Sequence, residues 1–128
     1  MARVTSLSIG SLIREVLLEN EDVAAITDNV FPVITNEAEL PYVFYKVASL
    51  QHDATKGGNG HDTIQLEVNC CAETYLECVN LSEAVRSALD YIHADDENLH
   101  IESSHLTGYT QGWAEDAYVD TLNFTIKV

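Results

Sequence analysis

The chain has 128 residues and a formal net charge of -15, because 21 acidic residues face only six Lys and Arg. Its length fits a single domain over residues 1–128, built around one hydrophobic core. The acidic surplus argues against binding the phosphate backbone of nucleic acid. The apolar runs fall short of the roughly 20 residues that span a bilayer, and no signal-peptide pattern opens the chain. The sequence therefore predicts a soluble intracellular protein without membrane contact.

The first predicted element is an amphipathic helix that ends near Asn20. Ser6 or Ser8 is placed to cap it. A further helical turn around Val23 precedes an irregular, partly extended stretch that reaches Pro41. The residues at helical spacing on the apolar face of the first helix are Ile9, Leu12, Ile13, Val16 and Leu17.

Two strands are predicted next, joined by a glycine-rich segment. The run 42–48 is apolar on both faces, which is typical of a strand covered on both sides. The run 63–71 alternates, so Cys70 is expected to point inward and Cys71 outward. The segment 51–61 between them is too long for a tight hairpin and predicts a projecting loop.

The second half of the chain repeats the pattern of one helix and two strands. Thr74 and Glu77 have the spacing of a capping box, and an apolar stripe follows them to Ile92. Two further strands are predicted over 99–109 and 118–128. The expected fold is α+β, in the order α-β-β-α-β-β, with a four-stranded, mainly antiparallel sheet and both helices packed on one of its faces.

The polar residues that flank the glycine-rich segment suggest a metal site only weakly. His52, Asp53, His61 and Asp62 are able to approach one another across a hairpin. The spacings HxH and HExxH are absent, and solvated loop histidines are the commoner case. The sequence predicts neither a metal nor another cofactor.

The three cysteines are expected to be free thiols. Their number is odd, and Cys70, Cys71 and Cys78 lack the CxxC spacing of zinc ribbons and of thiol redox proteins. A pairing of Cys71 with a distant histidine is the least disfavoured catalytic arrangement, and the sequence predicts no enzyme. The glycines after Lys56 lie inside a hairpin rather than before a helix, so they form no phosphate-binding loop.

Apolar residues that miss the predicted core are candidates for contacts with partner proteins. On the two helices they fall opposite the inward stripes, and on the strand 42–48 they occupy one of its two faces. An aromatic residue after Gly112 is a further candidate, because aromatic residues anchor interfaces. These candidates are Leu18, Tyr45, Val47, Leu76, Val79 and Trp113.

Several segments carry a resemblance to a known family. They are SLIREVLLENEDVAAIT, NVFPVITNEAELPYVFYKVAS, TIQLEVNCCAETY running into LECVNLSEAVRSALD, and the closing YVDTLNFTIKV. In pattern and order they resemble the tail-completion, or tail-terminator, proteins of long-tailed bacteriophages. The likeness covers nearly the whole chain and consists of hydrophobic patterns and turn positions, without a chemical signature.

The resemblance implies a structural role. Members of such a family form a ring, commonly a hexamer, that caps the finished tail tube and faces the head-tail connector. The implied partners are copies of the same chain, the tail-tube protein and a connector or neck protein. The implied location is the host cytoplasm during assembly and then the virion tail. The loop that contains Lys56, Gly57 and Gly58 is expected to contact a neighbouring subunit or the tube.

Two other classes of function stay open. The first is another head-tail neck or tail-tube component of the same kind of particle. Only its location in the particle would distinguish it from a terminator. A small intracellular module that binds a host protein is the second class, and persistent monomers would favour it.

Overall fold

The computed structural model describes residues 6–32, 39–53, 61–92, 99–114 and 116–128, and shows an α+β protein. None of the helices in these ranges is long and apolar enough to cross a membrane. The elements are α1 (Ile9–Glu19), α2 (Glu21–Ala24), β1 (Val30–Pro32), β2 (Tyr42–Asp53), β3 (His61–Ala72), α3 (Tyr75–Leu89), β4 (Ser103–Ala114) and β5 (Ala117–Lys127).

The strands form one five-stranded sheet in the order β1-β2-β3-β5-β4. The short β1 pairs with β2 in parallel, and the other neighbours are antiparallel. The predicted α+β class is confirmed, whereas the prediction of four strands and two helices is wrong in detail. A strand of three residues is too short for a periodic signal, and the four-residue α2 was expected only as one further helical turn.

Local side-chain caps explain where two of the helices begin. The side chain of Asn20 accepts hydrogen bonds from the backbone N–H groups of Asp22 and Val23, each at 3.0 Å, and so separates α2 from α1. Thr74 accepts one from the backbone of Glu77 at 3.2 Å, as the capping box predicts. Ser8 stands at the N-cap of α1 but makes no side-chain cap bond.

The core lies between one face of the sheet and the layer that contains α1 and α3. The inward residues of β3 and β5 are fully buried, and Phe124 is the largest of them. A Cβ placed on Gly10 would lie 3.5 Å from the ring of Tyr45, so α1 approaches β2 closely there. Tyr45 is only 3% exposed, and its expected place in an exposed patch is wrong. Both faces of β2 are apolar in sequence, which left its orientation open.

The opposite face of the sheet is mainly polar, as expected. Thr121 donates a hydrogen bond to Asn69 at 2.7 Å, and Thr125 donates one to Gln65 at 2.9 Å. Both contacts join directly opposed residues of β3 and β5. Such cross-strand pairs give the polar face a fixed register.

The three cysteines are free and buried. Cys70 and Cys78 are confirmed as inward residues, and Cys71 lies on the opposite face of the sheet, in phase with Asn69, as predicted, but it is buried there. Cys71 lies between its cross-strand partners Tyr42 and Val119 and forms a hydrogen bond with the Tyr42 side chain. Burial raises the pKa of Cys71 and raises that of Cys78 to about 12, so neither is a ready thiolate nucleophile.

The edge strand β4 is longer than its prediction and is displaced toward the C-terminus. It runs from Ser103 to Ala114, not from 99 to 109, so it includes Trp113, which lies beyond the predicted strand. Its second half is exposed, so it carries little of the alternation that marks a half-buried strand. At Asp116 the backbone φ of 66° turns the chain back into β5.

We expect Phe124→Ala to lower the free energy of unfolding by about 3 to 5 kcal/mol, because it leaves a cavity at the centre of the core. Leu76→Ala is the matched control. Leu76 is 70% exposed on α3, so its loss should cost less than about 0.5 kcal/mol. Urea denaturation followed by circular dichroism measures both, and equal losses would contradict the assigned core.

Candidate protein-binding surface

Aromatic side chains from three elements meet where α3 begins. Trp113 of β4 and Tyr118 of β5 are directly paired across the hairpin, and their rings make an edge-to-face contact with centroids 4.8 Å apart. Tyr75, the first residue of α3, stacks on Tyr118 with centroids 6.0 Å apart. All three rings are at least one-third exposed, so they form a continuous aromatic surface.

These rings line a groove of about 320 Å³, which we call the aromatic groove. The buried Asp120 is among the residues that line it, and no Lys or Arg of the described chain does so. The residues that line the aromatic groove are Tyr75, Cys78, Gln111, Gly112, Trp113, Tyr118 and Asp120. The groove thus combines large apolar faces with one acidic group, as a binding site for part of another molecule does.

Asp120 is buried, and its hydrogen bonds join α3, β4 and β5. Its Oδ2 accepts from the hydroxyl of Ser82 at 2.9 Å and from that of Tyr109 at 2.7 Å. Gln111 donates to the Tyr109 oxygen at 2.7 Å and also contacts the hydroxyl of Tyr75 at 3.4 Å. The network fixes the edge strand against the helix and holds the walls of the groove in place.

The same network changes the acidity of Tyr109. Loss of hydration and then the hydrogen bond to the Asp120 carboxylate raise the pKa of Tyr109 to about 12. Both effects favour the neutral hydroxyl, because ionisation would remove the donated proton and place two negative charges side by side. Tyr109 is therefore a structural donor rather than a base.

A second groove of about 270 Å³ continues from the first along α3. Tyr75 and Gln111 line both grooves, and Val79 and Arg86 line the second. Arg86 lies 3.2 Å from Asp90, the C-cap residue of α3, so its charge is already paired.

Three of the residues selected from the sequence lie at or beside this surface. Trp113 is 57% exposed in the aromatic groove, and the half-buried Val79 lines the second groove. Leu76 follows Tyr75 directly and is 70% exposed. Their role as partner contacts stays a prediction.

The other selected residues lie elsewhere. Leu18 is partly buried and packs against the core, and its role as a partner contact stays a prediction. Val47 is 38% exposed and pairs with Leu66 of β3. Tyr118 pairs with Ala72, six residues further along β3. Val47 therefore lies about 20 Å from the groove, measured along the strands. Lys56, Gly57 and Gly58 lie outside the described residues.

The weak metal hypothesis gains no support. His52 Nδ1 lies 2.6 Å from a carboxylate oxygen of Asp62, an exposed pair that resembles an ordinary cross-strand contact. Within the described part of the chain no three acidic, His or Cys side chains lie close enough to hold a metal.

Sequence reasoning missed Tyr75, Tyr109 and Tyr118. They come from three elements, and only the folded chain brings them together. The spacing of Trp113 and Tyr118 around a short acidic turn was the available signal, since it places the two residues opposite each other in a hairpin.

The comparisons with known proteins give the family. The model of the tail completion protein gp17 family matches residues 11–123, which is most of the chain. The chain belongs to this family. As a tail completion protein it is a structural component of a phage tail. A chain in the solved virion of a native gene transfer agent (GTA) particle has the same fold, with a TM-score of 0.80 at 14% identity over 91% of this chain and 90% of that one. No curated protein matches this tail completion protein by sequence.

Tyr109→Phe should lower the free energy of unfolding at neutral pH by about 1 to 2 kcal/mol, because the buried carboxylate loses a donor. The difference from the unsubstituted protein should shrink as the pH rises from about 10, the pKa of an unfolded tyrosine, towards about 12. A raised folded pKa stabilises only while the group stays protonated in the unfolded chain, so the contribution is lost across this interval. Urea midpoints at several pH values measure it.

The control for this pH series is Tyr91→Phe, which removes the hydroxyl of a tyrosine that is 77% exposed. It should shift the midpoint little at neutral pH. A difference between Tyr109→Phe and the unsubstituted protein that stayed constant up to about pH 12 would contradict the assigned hydrogen bond.

Proposed function

We propose that this protein is a tail terminator, whose subunits form a ring that caps the finished tail tube and presents a surface to the head-tail connector. The family match over residues 11–123 carries the proposal. The subunits assemble in the host cytoplasm and remain in the virion tail. A ring of about six subunits follows the symmetry that the family resemblance implies.

The exposed residues give the proposal two separate contact regions. Val47 on β2 and the aromatic groove lie on different parts of the same subunit. A ring subunit needs such a division, because head-to-tail packing and contact with the tube or connector use different surfaces. We assign Val47 to the neighbouring subunit and the aromatic groove to another tail or neck protein. The segment 51–61 is a further candidate for the contact with the neighbour or tube.

The charge of the chain also suits this function. A ring at the end of a tail tube surrounds the path of the DNA, and a net charge of -15 on each subunit gives it a strongly negative potential. Phosphates are repelled by such a surface, so DNA passes without adhering to it.

The first test is the absolute mass of the purified protein by light scattering over a wide concentration range, with negative-stain images of the same samples. We expect closed rings of about six subunits, alone or after addition of tail tubes. Repeated weak contacts around a ring make its formation depend strongly on concentration. Monomers that bind no tail tubes at any concentration would contradict the terminator and favour a small protein-binding module.

Val47→Asp tests the assigned contact between subunits. A charge at this position would have to be buried at the interface, so the concentration needed for ring formation should rise at least about tenfold. Ser49→Asp, which adds the same charge at another exposed position of β2, is the matched control and should have a smaller effect. Unchanged assembly of Val47→Asp would exclude this residue from the interface.

A further inference from the structure

The edge strand β4 is open to pairing along the side of the groove. It ends the strand order, and near its start the Ser104 carbonyl accepts a hydrogen bond from the Tyr91 backbone while the Leu106 backbone donates one to Asp90. Beyond this point the outer edge of β4 has no partner strand within the described sheet. Its sequence, SSHLTGYTQGWA, contains no Lys, Asp, Glu or Pro, the residues that usually protect an exposed edge. A register shift, which is a further protective feature, interrupts β4 between Leu106 and Gly108, so the stretch that can accept an added strand is 108–114.

The chemistry of the aromatic groove selects a cationic side chain. The faces of Trp113, Tyr118 and Tyr75 supply the negative electrostatic surface that attracts a guanidinium or ammonium group. Asp120 adds an acidic residue to the lining of the groove. An anionic side chain would be repelled by that carboxylate, and a purely apolar one would leave it without a counter-charge.

The surroundings of the groove add to this preference. Glu73 and Glu77 flank Tyr75 in sequence, and Asp116 lies in the turn between Trp113 and Tyr118. All three are accessible, so they attract a basic partner at longer range.

A second copy of this chain is a poor source of the cationic side chain. Only six Lys and Arg are available in the sequence. Three of them have partners within the subunit: Lys46 contacts Glu67, Arg86 contacts Asp90, and Arg14 donates to the carbonyl oxygen of Val30. Of the other three, Lys127 is exposed, and Arg3 and Lys56 lie outside the described residues. A chain with so few cations is a poor source of a basic segment, so we take the occupant to be a different, basic protein.

We propose that an extended basic segment of another tail or neck protein adds to the free edge of β4 and inserts an arginine side chain into the aromatic groove. The proposed function supplies the source of this segment, and the groove supplies its chemistry. A strand beside β4 directs alternate side chains to the helix side of the sheet, where Gln111 and Trp113 open the groove. Backbone pairing gives the segment its direction, and the cationic contact fixes its register.

The test uses the purified full chain and two synthetic peptides. The first is acetyl-TVTRVTV-amide, a strand-forming sequence with one central arginine, and the second carries glutamine in place of arginine. The indole N–H resonance of Trp113, the only tryptophan in the chain, reports binding by NMR. We expect the arginine peptide to bind at least about fivefold more tightly than the glutamine peptide, because only arginine supplies the charge.

Substitutions in the protein locate that preference. Tyr118→Leu and Asp120→Asn should each reduce the advantage of the arginine peptide to less than about twofold. Glu19→Gln, which removes one exposed negative charge at the end of α1, is the control and should leave the preference unchanged. Tyr75→Leu alters an exposed wall of the groove, so it still tests the inference if Asp120→Asn does not fold.

Equal affinities for the two peptides would overturn the inference, and so would a preference that survives both Tyr118→Leu and Tyr75→Leu. Neither result depends on the ring, because the peptides bind a single subunit. A protein that forms rings but does not distinguish the peptides keeps the proposed function and loses this inference. A protein that distinguishes them but never assembles keeps the inference about the groove and loses the ring.

Discussion

The pairing of β3 with β5 is the contact on which the rest of the molecule depends. It joins the two hairpins into one sheet and presents the fully buried residues on which α3 packs, with Leu66 and Phe124 directly opposed at its centre. The polar face is ordered by the same pairing, through Thr121 on Asn69 and Thr125 on Gln65. The core, the polar face and the position of the groove all follow from this one register.

The β5 strand also carries the two residues that couple the fold to the candidate binding surface. Asp120 faces inward and binds Ser82 and Tyr109, while Tyr118, two residues earlier, supports Trp113 and Tyr75. A buried carboxylate is costly unless its hydrogen bonds are satisfied, and here hydroxyl groups satisfy it. The groove is therefore built on rigid elements and needs little rearrangement to receive a ligand, which lowers the entropic cost of binding.

The sequence predicts the elements that bury one clear face and fails where periodicity is weak. The alternating apolar residues of β3 and β5 and the apolar stripes of α1 and α3 indicate which residues face the core. The orientation of Tyr45 was undetermined because β2 is apolar on both faces, and the exposed half of β4 has no alternation to detect. The groove itself was beyond prediction, since Tyr75, Trp113 and Tyr118 meet only through strand register. Trp113 was selected as a lone aromatic residue, without the two rings that make it part of a site.

The strand order also determines how the chain must fold. Each hairpin closes locally, with Asp53 opposite His61 in one and Ala114 opposite Ala117 in the other. The central pairing instead joins residues as distant in sequence as Thr63 and Lys127. Closing so long a loop costs more conformational entropy than closing a hairpin, and topologies rich in distant contacts fold slowly. The two hairpins are therefore the local units of the chain, and the helices gain a complete sheet to cover only when β5 pairs with β3.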